Sequence, residues 1–246
     1  MAETLYLVMP AYNEAANLRD VVADWYPVLA AGDEASRMLI LDDGSTDESA
    51  VVLEELAARY PQLHWWSREN RGHGATIREL YEEAVAAGAD WILQTDSDGQ
   101  TLSSEFASFW MRRSGMAMVI GDRHEREDGS WRRFVSWVLV QLIRLRLGVH
   151  LIDANTPYRL MRAEVLARLL PALPKDAHLV NALLAAAFVY DGQPCTWVPI
   201  SFRARQGGVN SIDVPAILRH GRRFWGELGR ARASFRSVLG PRWRGH

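Results

Sequence analysis

The chain contains a single cysteine, Cys195, so no disulfide can form within it, and cysteine usage leaves the compartment open. No uncharged apolar run approaches the roughly 18–20 residues that span a bilayer. Met1-Ala2-Glu3-Thr4 has no basic segment and runs straight into Leu5-Tyr6-Leu7-Val8-Met9, so no signal peptide is expected and the chain reads as cytoplasmic. Repeats, low-complexity tracts and linker-like stretches are also missing. Two phosphate-binding motifs are absent: a dinucleotide fingerprint starting at Gly72-His73-Gly74 would need glycine where Ile77 stands, and there is no Walker A sequence. The short glycine turn instead suits close passage of backbone to a phosphate or to a sheet.

What is present suffices for a core. Of 246 residues, 48% are hydrophobic, which allows one large α/β domain or two small ones. The net charge of −2 hides an asymmetry. From Arg219 to His246 eight arginines face one acid, Glu227, giving +7, and the remainder carries about −9. A basic, aromatic-dotted tail suits an anionic lipid surface or another polyanion. It comes without a recognised nucleic-acid-binding motif, so no nucleic-acid partner is expected.

Strand-like and helix-like stretches alternate. Leu5–Met9 reads as a strand stopped by Pro10, followed by a helix through about Ala30, capped near Asn13, with Leu18, Val21, Val22, Trp25 and Leu29 on one face. Met38–Leu41 is a second strand, and Ser45-Thr46-Asp47-Glu48 has capping-box spacing before Val52, Leu53, Leu56 and Tyr60. Further strands are expected at His64–Trp66, Trp91–Thr95, Met116–Ile120 and Thr196–Phe202. A helix is expected from about Gly74 to Ala87, one near 131–147, one from Ala163 to Leu170 and one from Asp176 to Val189, with Asp153–Arg159 a polar loop or strand entry. This alternation argues for right-handed βαβ units and a mostly parallel twisted sheet flanked by helices. The expected division is a catalytic domain over residues 1–212 and a C-terminal helical extension over 213–246. The segment 131–147 is apolar on nearly every face and flanked by arginines, which fits either a buried helix or one lying in a membrane interface.

Ligands of such sheets collect beyond the carboxyl ends of the strands. The residues there are Tyr12 and Glu14, then Asp42 and Asp43, then Asp96 and Asp98, then Asp122 and Arg123. In Thr95-Asp96-Ser97-Asp98-Gly99-Gln100, two carboxylates alternate at a strand end. Residues two apart in extended chain point the same way, so both can converge on one hard cation such as Mg²⁺ or Mn²⁺. Asp, Ser and Gly are equally the material of a plain turn, and this stretch alone leaves both readings open. Arg203–Ser211, with two arginines and two glycines, reads as a mobile loop able to close over phosphates or as a solvated surface loop.

Taken in order, Val8–Glu14, Leu41–Asp47, Asn70–Gly74, Asp96–Gln100, Gly121–Arg123, Asp153–Arg159 and Phe202–Ser211 resemble a family-2 glycosyltransferase of the GT-A, Rossmann-like type, and more narrowly the dolichol- or polyprenyl-phosphate sugar transferases. The likeness covers roughly residues 4–212. It implies an inverting, metal-dependent transfer from a UDP- or GDP-sugar to a polyprenyl phosphate. Pro10, Tyr12, Glu14 and Asp42 would hold the base and ribose, with Asp43 and Arg71 also on the nucleotide-sugar. Asp96, Asp98 and Gln100 would bind Mg²⁺ or Mn²⁺ at the diphosphate, and Arg205 would clamp it from the loop. Arg123, Arg132 and Ser136 would hold the acceptor phosphate, which needs positioning more than a general base. Two departures stand out: Asn210-Ser211 replaces the Ser-Lys pair of many relatives, and their C-terminal membrane helices have no counterpart here. A lipid acceptor would then be met peripherally, through 131–147 and 219–246. A soluble hydroxyl acceptor would instead need a base, for which the corresponding region offers only Asp176 or His178, Asp176 reading more readily as the N-cap of its helix. A non-catalytic module docking through its tail is the third reading, and predicts that Asp98→Ala leaves function intact.

Overall fold

The computed structural model describes residues 3–123, 130–203 and 214–241, without the side chains of 130–134 and 214–220. Seven strands, β1 (Leu5–Ala11), β2 (Arg37–Asp42), β3 (Leu63–Ser67), β4 (Trp91–Gln94), β5 (Met118–Asp122), β6 (Arg159–Arg162) and β7 (Cys195–Pro199), form one sheet in the order β3-β2-β1-β4-β6-β5-β7. Only β6 runs antiparallel to its neighbours, β4 and β5; the other pairings are parallel. The parallel strands therefore end together on one edge.

Strand side chains alternate between two cores, as the period of two demands. Leu5, Leu7 and Met9 of β1 pack on one face with α1 (Ala15–Ala30), α2 (Ser49–Arg59) and α4 (Phe106–Arg112). Tyr6 and Val8 pack on the other, under α3 (His73–Ala86), α5 (Ser130–Leu147), α6 (Ala163–Leu169), α7 (Val180–Tyr190) and α8 (Val214–Val238). Helix α1 buries Leu18, Val21, Val22, Trp25 and Leu29, the face its sequence pattern marks. The C-terminal extension joins the second core through Phe224, Leu228, Ala231 and Phe235, with Phe235 5.3 Å from the ring of Tyr190.

Several local expectations need correcting. Pro10 does not stop β1; it pairs with Leu41 inside it. Val8 O accepts from Thr95 N toward β4, so Pro10, two residues on, turns the same edge toward β4 past that strand's end. No ladder bond is lost for want of its N–H. Asn13 and Ser45 are not caps. Helix α1 begins after Glu14, with Ala15 N bonded to Asp47 Oδ2 (3.1 Å) and Glu14 N to Ser49 Oγ (3.0 Å). Helix α2 starts at Ser49. Helix α7 starts at Val180, not Asp176. Helix α5 is neither wholly buried nor apolar all round: Val140, Ile143 and Leu147 face the core, while Trp137 and Leu145 are exposed. Among the described residues no helix is long and apolar enough to cross a membrane.

Candidate active site

Beyond the carboxyl ends of β1, β2 and β4 lies a cavity of about 310 Å³. Pro10, Ala11, Tyr12 and Glu14 line one side, Asp43, Asn70, Gly72, His73 and Thr76 another, and Asp96, Ser97 and Asp98 the floor. The sheet topology gathers these residues from four separate stretches of chain.

The floor is built by the turn after β4. Gly99 has φ +72°, and Asp98 Oδ1 accepts from Gln100 N at 3.1 Å, an Asx turn. Ser97 Oγ donates to Pro10 O at 2.8 Å, locking the turn to the end of β1. The stretch is thus a turn, and a turn of this shape is compatible with the cation reading. Asp96 Oδ1 is buried and has no hydrogen-bond partner among the described residues. Burial raises the Asp96 pKa above the ordinary carboxylate value, and the nearby Asp98 charge adds to this; His73, Arg123 and Arg159 act against it. A buried carboxylate oxygen left without a donor fits a cation ligand. Two carboxylates also match the way Mg²⁺ and Mn²⁺ bind, with one or two protein oxygens and the rest from phosphates and water. Among the described residues no cluster of three or more acidic, histidine or cysteine side chains makes a complete cage.

Other expected residues fall differently. Gln100 does not line the cavity; its Nε2 donates to Arg203 O at 2.8 Å, tying down the chain that leaves Phe202. Asp42 is 1% exposed and faces inward: Oδ1 accepts from Ser45 Oγ, and Oδ2 from Ser67 Oγ at 2.7 Å. Asp43 does line the cavity and organises its wall, accepting from Gly72 N (2.8 Å), Arg71 N (3.0 Å) and the Arg68 guanidinium. Arg71 is exposed and, among the described residues, contributes only this backbone bond. Arg205 and the Arg132 side chain lie outside the described residues. Ser136 sits one turn before Val140 on the inward face of α5.

Arg123 follows β5 and forms a two-pronged pair with Asp153, Nε to Oδ2 at 2.8 Å and Nη2 to Oδ1 at 3.0 Å. Its guanidinium also lies 5.2 Å from the Phe202 ring centre. Asp176, in contrast, carries a 72% exposed side chain paired with Arg230 at 3.1 Å, and stands neither at the cavity nor at a helix cap.

Some residues of the site escaped sequence reasoning. His73, first residue of α3, lines the cavity and bears electrostatically on Asp96; its place in Asn70–Gly74 was the available signal. Gly74 lets α3 start there, since a Cβ would sit 2.4 Å from Ala177 O. Arg159 is wholly buried in the sheet, bonding Asn181 O (2.8 Å), Thr156 O (3.1 Å) and Ala154 O (3.4 Å). It thereby shapes the 153–156 segment that presents Asp153 to Arg123.

The sequence profile of glycosyl transferase family 2 matches residues 6–170. Polyprenol monophosphomannose synthase of Mycolicibacterium smegmatis is 27% identical over 216 residues, 84% of this chain and 80% of that protein. Undecaprenyl-phosphate 4-deoxy-4-formamido-L-arabinose transferase of Shewanella sediminis is 29% identical over 171 residues, 67% of this chain but only 50% of that protein, so the chain spans about half its length. Among solved structures, glucosyl-3-phosphoglycerate synthase of Mycobacterium tuberculosis, in complex with Mn²⁺, UDP and glucosyl-3-phosphoglycerate, superposes with a TM-score of 0.63 at 20% identity. That match covers 99% of this chain and 82% of the other, and shows that the α/β fold is the expected GT-A one.

Proposed function

We propose, on the premise that this chain belongs to glycosyl transferase family 2, that it moves a sugar from a uridine or guanosine diphosphate-sugar to a polyprenyl phosphate. The chain is a glycosyltransferase; the donor, the cation and the acceptor are our reading. The observation that carries it is the pairing of Asp96 and Asp98 on the cavity floor, with one Asp96 oxygen buried and unbonded among the described residues.

In this reading Pro10, Tyr12 and Glu14 receive the nucleoside on one wall, and Asp96 and Asp98 would hold Mg²⁺ or Mn²⁺. The ion would offset the charge that develops on the departing diphosphate. Asp42 and Asp43 act as braces, fixing the 45 and 68–72 segments that shape the walls. Arg123, outside the cavity lining but near enough to act on the Asp96 charge, takes the acceptor phosphate, held in place by Asp153. An oxygen of that phosphate attacks the anomeric carbon from the face opposite the diphosphate. The new C–O bond forms as the bond to the diphosphate oxygen breaks, and the configuration inverts. A phosphate oxygen is already an anionic nucleophile, so positioning is what the chain must supply. The polyprenyl-phosphate acceptor is supported by the named relatives and by the place of Asp176, which is turned away to Arg230 and so is badly placed for the base a hydroxyl acceptor would need.

The test is transfer of labelled sugar to undecaprenyl phosphate by two variants. Arg123→Ala is expected to lose transfer by on the order of a hundredfold or more, as for a lost electrostatic contact to reacting charge. Asp176→Ala is expected to match the wild type. The reverse pattern would replace this reading with a hydroxyl acceptor.

A further inference from the structure

The reaction makes no use of the outer surface of α8. From 221 to 238 that helix exposes Arg222, Arg223, Arg230, Arg232 and Arg236, while its one acid, Glu227, is fully buried under the helix. Glu227 is turned inward, accepting from His178 N at 3.0 Å. Arg223 and Arg230 share their charge with Glu227 and Asp176. Arg222, Arg232 and Arg236 have no acidic partner among the described residues. The helix's apolar side is spent on the core through Phe224, Leu228, Ala231 and Phe235, so what it offers outward is mainly charge, with Val238 half-exposed at its end. The neighbouring α5 is locked to it by Arg146, 4.9 Å from the Trp225 ring, and exposes Trp137 and Leu145, at 58% and 75%.

The geometry points to α8 as a docking surface for a membrane carrying anionic lipid headgroups. Charge complementarity selects an anionic partner, since five exposed arginines face outward from a chain whose first 218 residues carry about −9. Exposed Trp and Leu on the adjacent helix favour a lipid surface over a nucleic acid. The choice of lipid rests also on the proposed polyprenyl-phosphate acceptor, which lives in a bilayer. The docking itself needs neither acceptor nor donor, and the experiment leaves both out.

The full-length protein is sedimented with phosphatidylcholine vesicles with and without phosphatidylglycerol, at low and high salt (about 0.05 and 0.5 M). Binding is expected only to the anionic vesicles and is expected to fall steeply at high salt. R222E/R232E/R236E should weaken it by on the order of a hundredfold or more, since each basic residue near such a surface contributes about one factor of five. The substitutions sit on exposed positions, and the salt series on the wild type tests the charge dependence without any variant. R19E/R59E/R112E makes the same change in net charge on exposed arginines elsewhere and should leave binding intact. Equal binding to neutral vesicles, insensitivity to salt, equal loss in both triple variants, or binding to duplex DNA or RNA in preference to anionic vesicles would each overturn the assignment. A failure here leaves the transfer assay with Arg123→Ala unaffected, so the two readings fall separately.

Discussion

Asp96 keeps one carboxylate oxygen buried without a donor among the described residues, a state that costs about 1–3 kcal/mol in a folded protein. The cation that it is proposed to bind would remove that cost. Asp96→Asn should therefore raise the midpoint of thermal unfolding by a few degrees at pH 7 in the absence of metal, and abolish transfer. The sign follows from linkage. The folded-state pKa is raised, so the ionised form destabilises the fold, and this penalty fades as pH falls through the raised value toward the unfolded one. The gain in the variant should shrink over the same range; a variant less stable than wild type at pH 7 would contradict it. A second residue-scale prediction concerns Asp153. It and Arg123 are each only 9% exposed, so Asp153→Ala strands a buried guanidinium and should cost about 3–5 kcal/mol by denaturant unfolding. In steady-state kinetics it should raise KM for the acceptor and leave KM for the donor unchanged; a change confined to the donor would place Arg123 elsewhere in the reaction. At this scale the strand-end positions of Asp96, Asp98 and Arg123 were legible in the sequence, because carboxylates and arginines after an apolar run stand out by position. Arg159 and the inward turn of Asp42 were not legible, since burial and the partners Ser45 and Ser67 exist only once the chain is folded.

Element boundaries were missed wherever a long-range bond replaced a local signal. Ser45 has the spacing of a capping box, yet it bonds Asp42 and Asn13 N, and the start of α1 is satisfied from the 47–49 segment instead. Pro10 looked like a stop because a single strand carries no information about which of its edges is already unpaired. The buried face of α1 was readable in full, and that of α2 through Val52, Leu53 and Leu56, since 3.6-residue periodicity is a local property; Tyr60 falls just past the end of α2, and the burial of Ser49 was not legible. Helix α3 depends on a close approach, and this yields a prediction. Gly74→Ala would place a methyl 2.4 Å from Ala177 O, a backbone atom that cannot rotate away. It should destabilise the protein by about 1–3 kcal/mol or more in urea unfolding, and displace His73 from the cavity wall. A neutral effect would mean that the 177–178 segment yields easily.

The alternation of strands and helices gave the mostly parallel sheet and placed the site on its carboxyl edge. The strand entry read as one alternative for Asp153–Arg159 is β6, but its antiparallel direction was not foreseen: only four residues long, it begins inside a polar stretch and owes its place to pairing with Gln94 and Ile120 on either side. That strand is what carries Arg159 into the sheet and turns Asp153 toward Arg123, the residue proposed to meet the acceptor. Charge asymmetry, in contrast, was visible from composition, and the fold converts it into one exposed helix face. The most direct test of the account is a thermal-shift titration of UDP, GDP and their sugar derivatives, each with and without Mn²⁺. At least one nucleotide should raise the unfolding midpoint with Mn²⁺ and do little without it, by about 3 kcal/mol at a hundredfold excess over Kd. Asp98→Ala should remove that metal-dependent gain. If no nucleotide shifts the wild type under either condition, or if the gain survives in Asp98→Ala, the carboxylate pair on the cavity floor does not hold a diphosphate-bound cation.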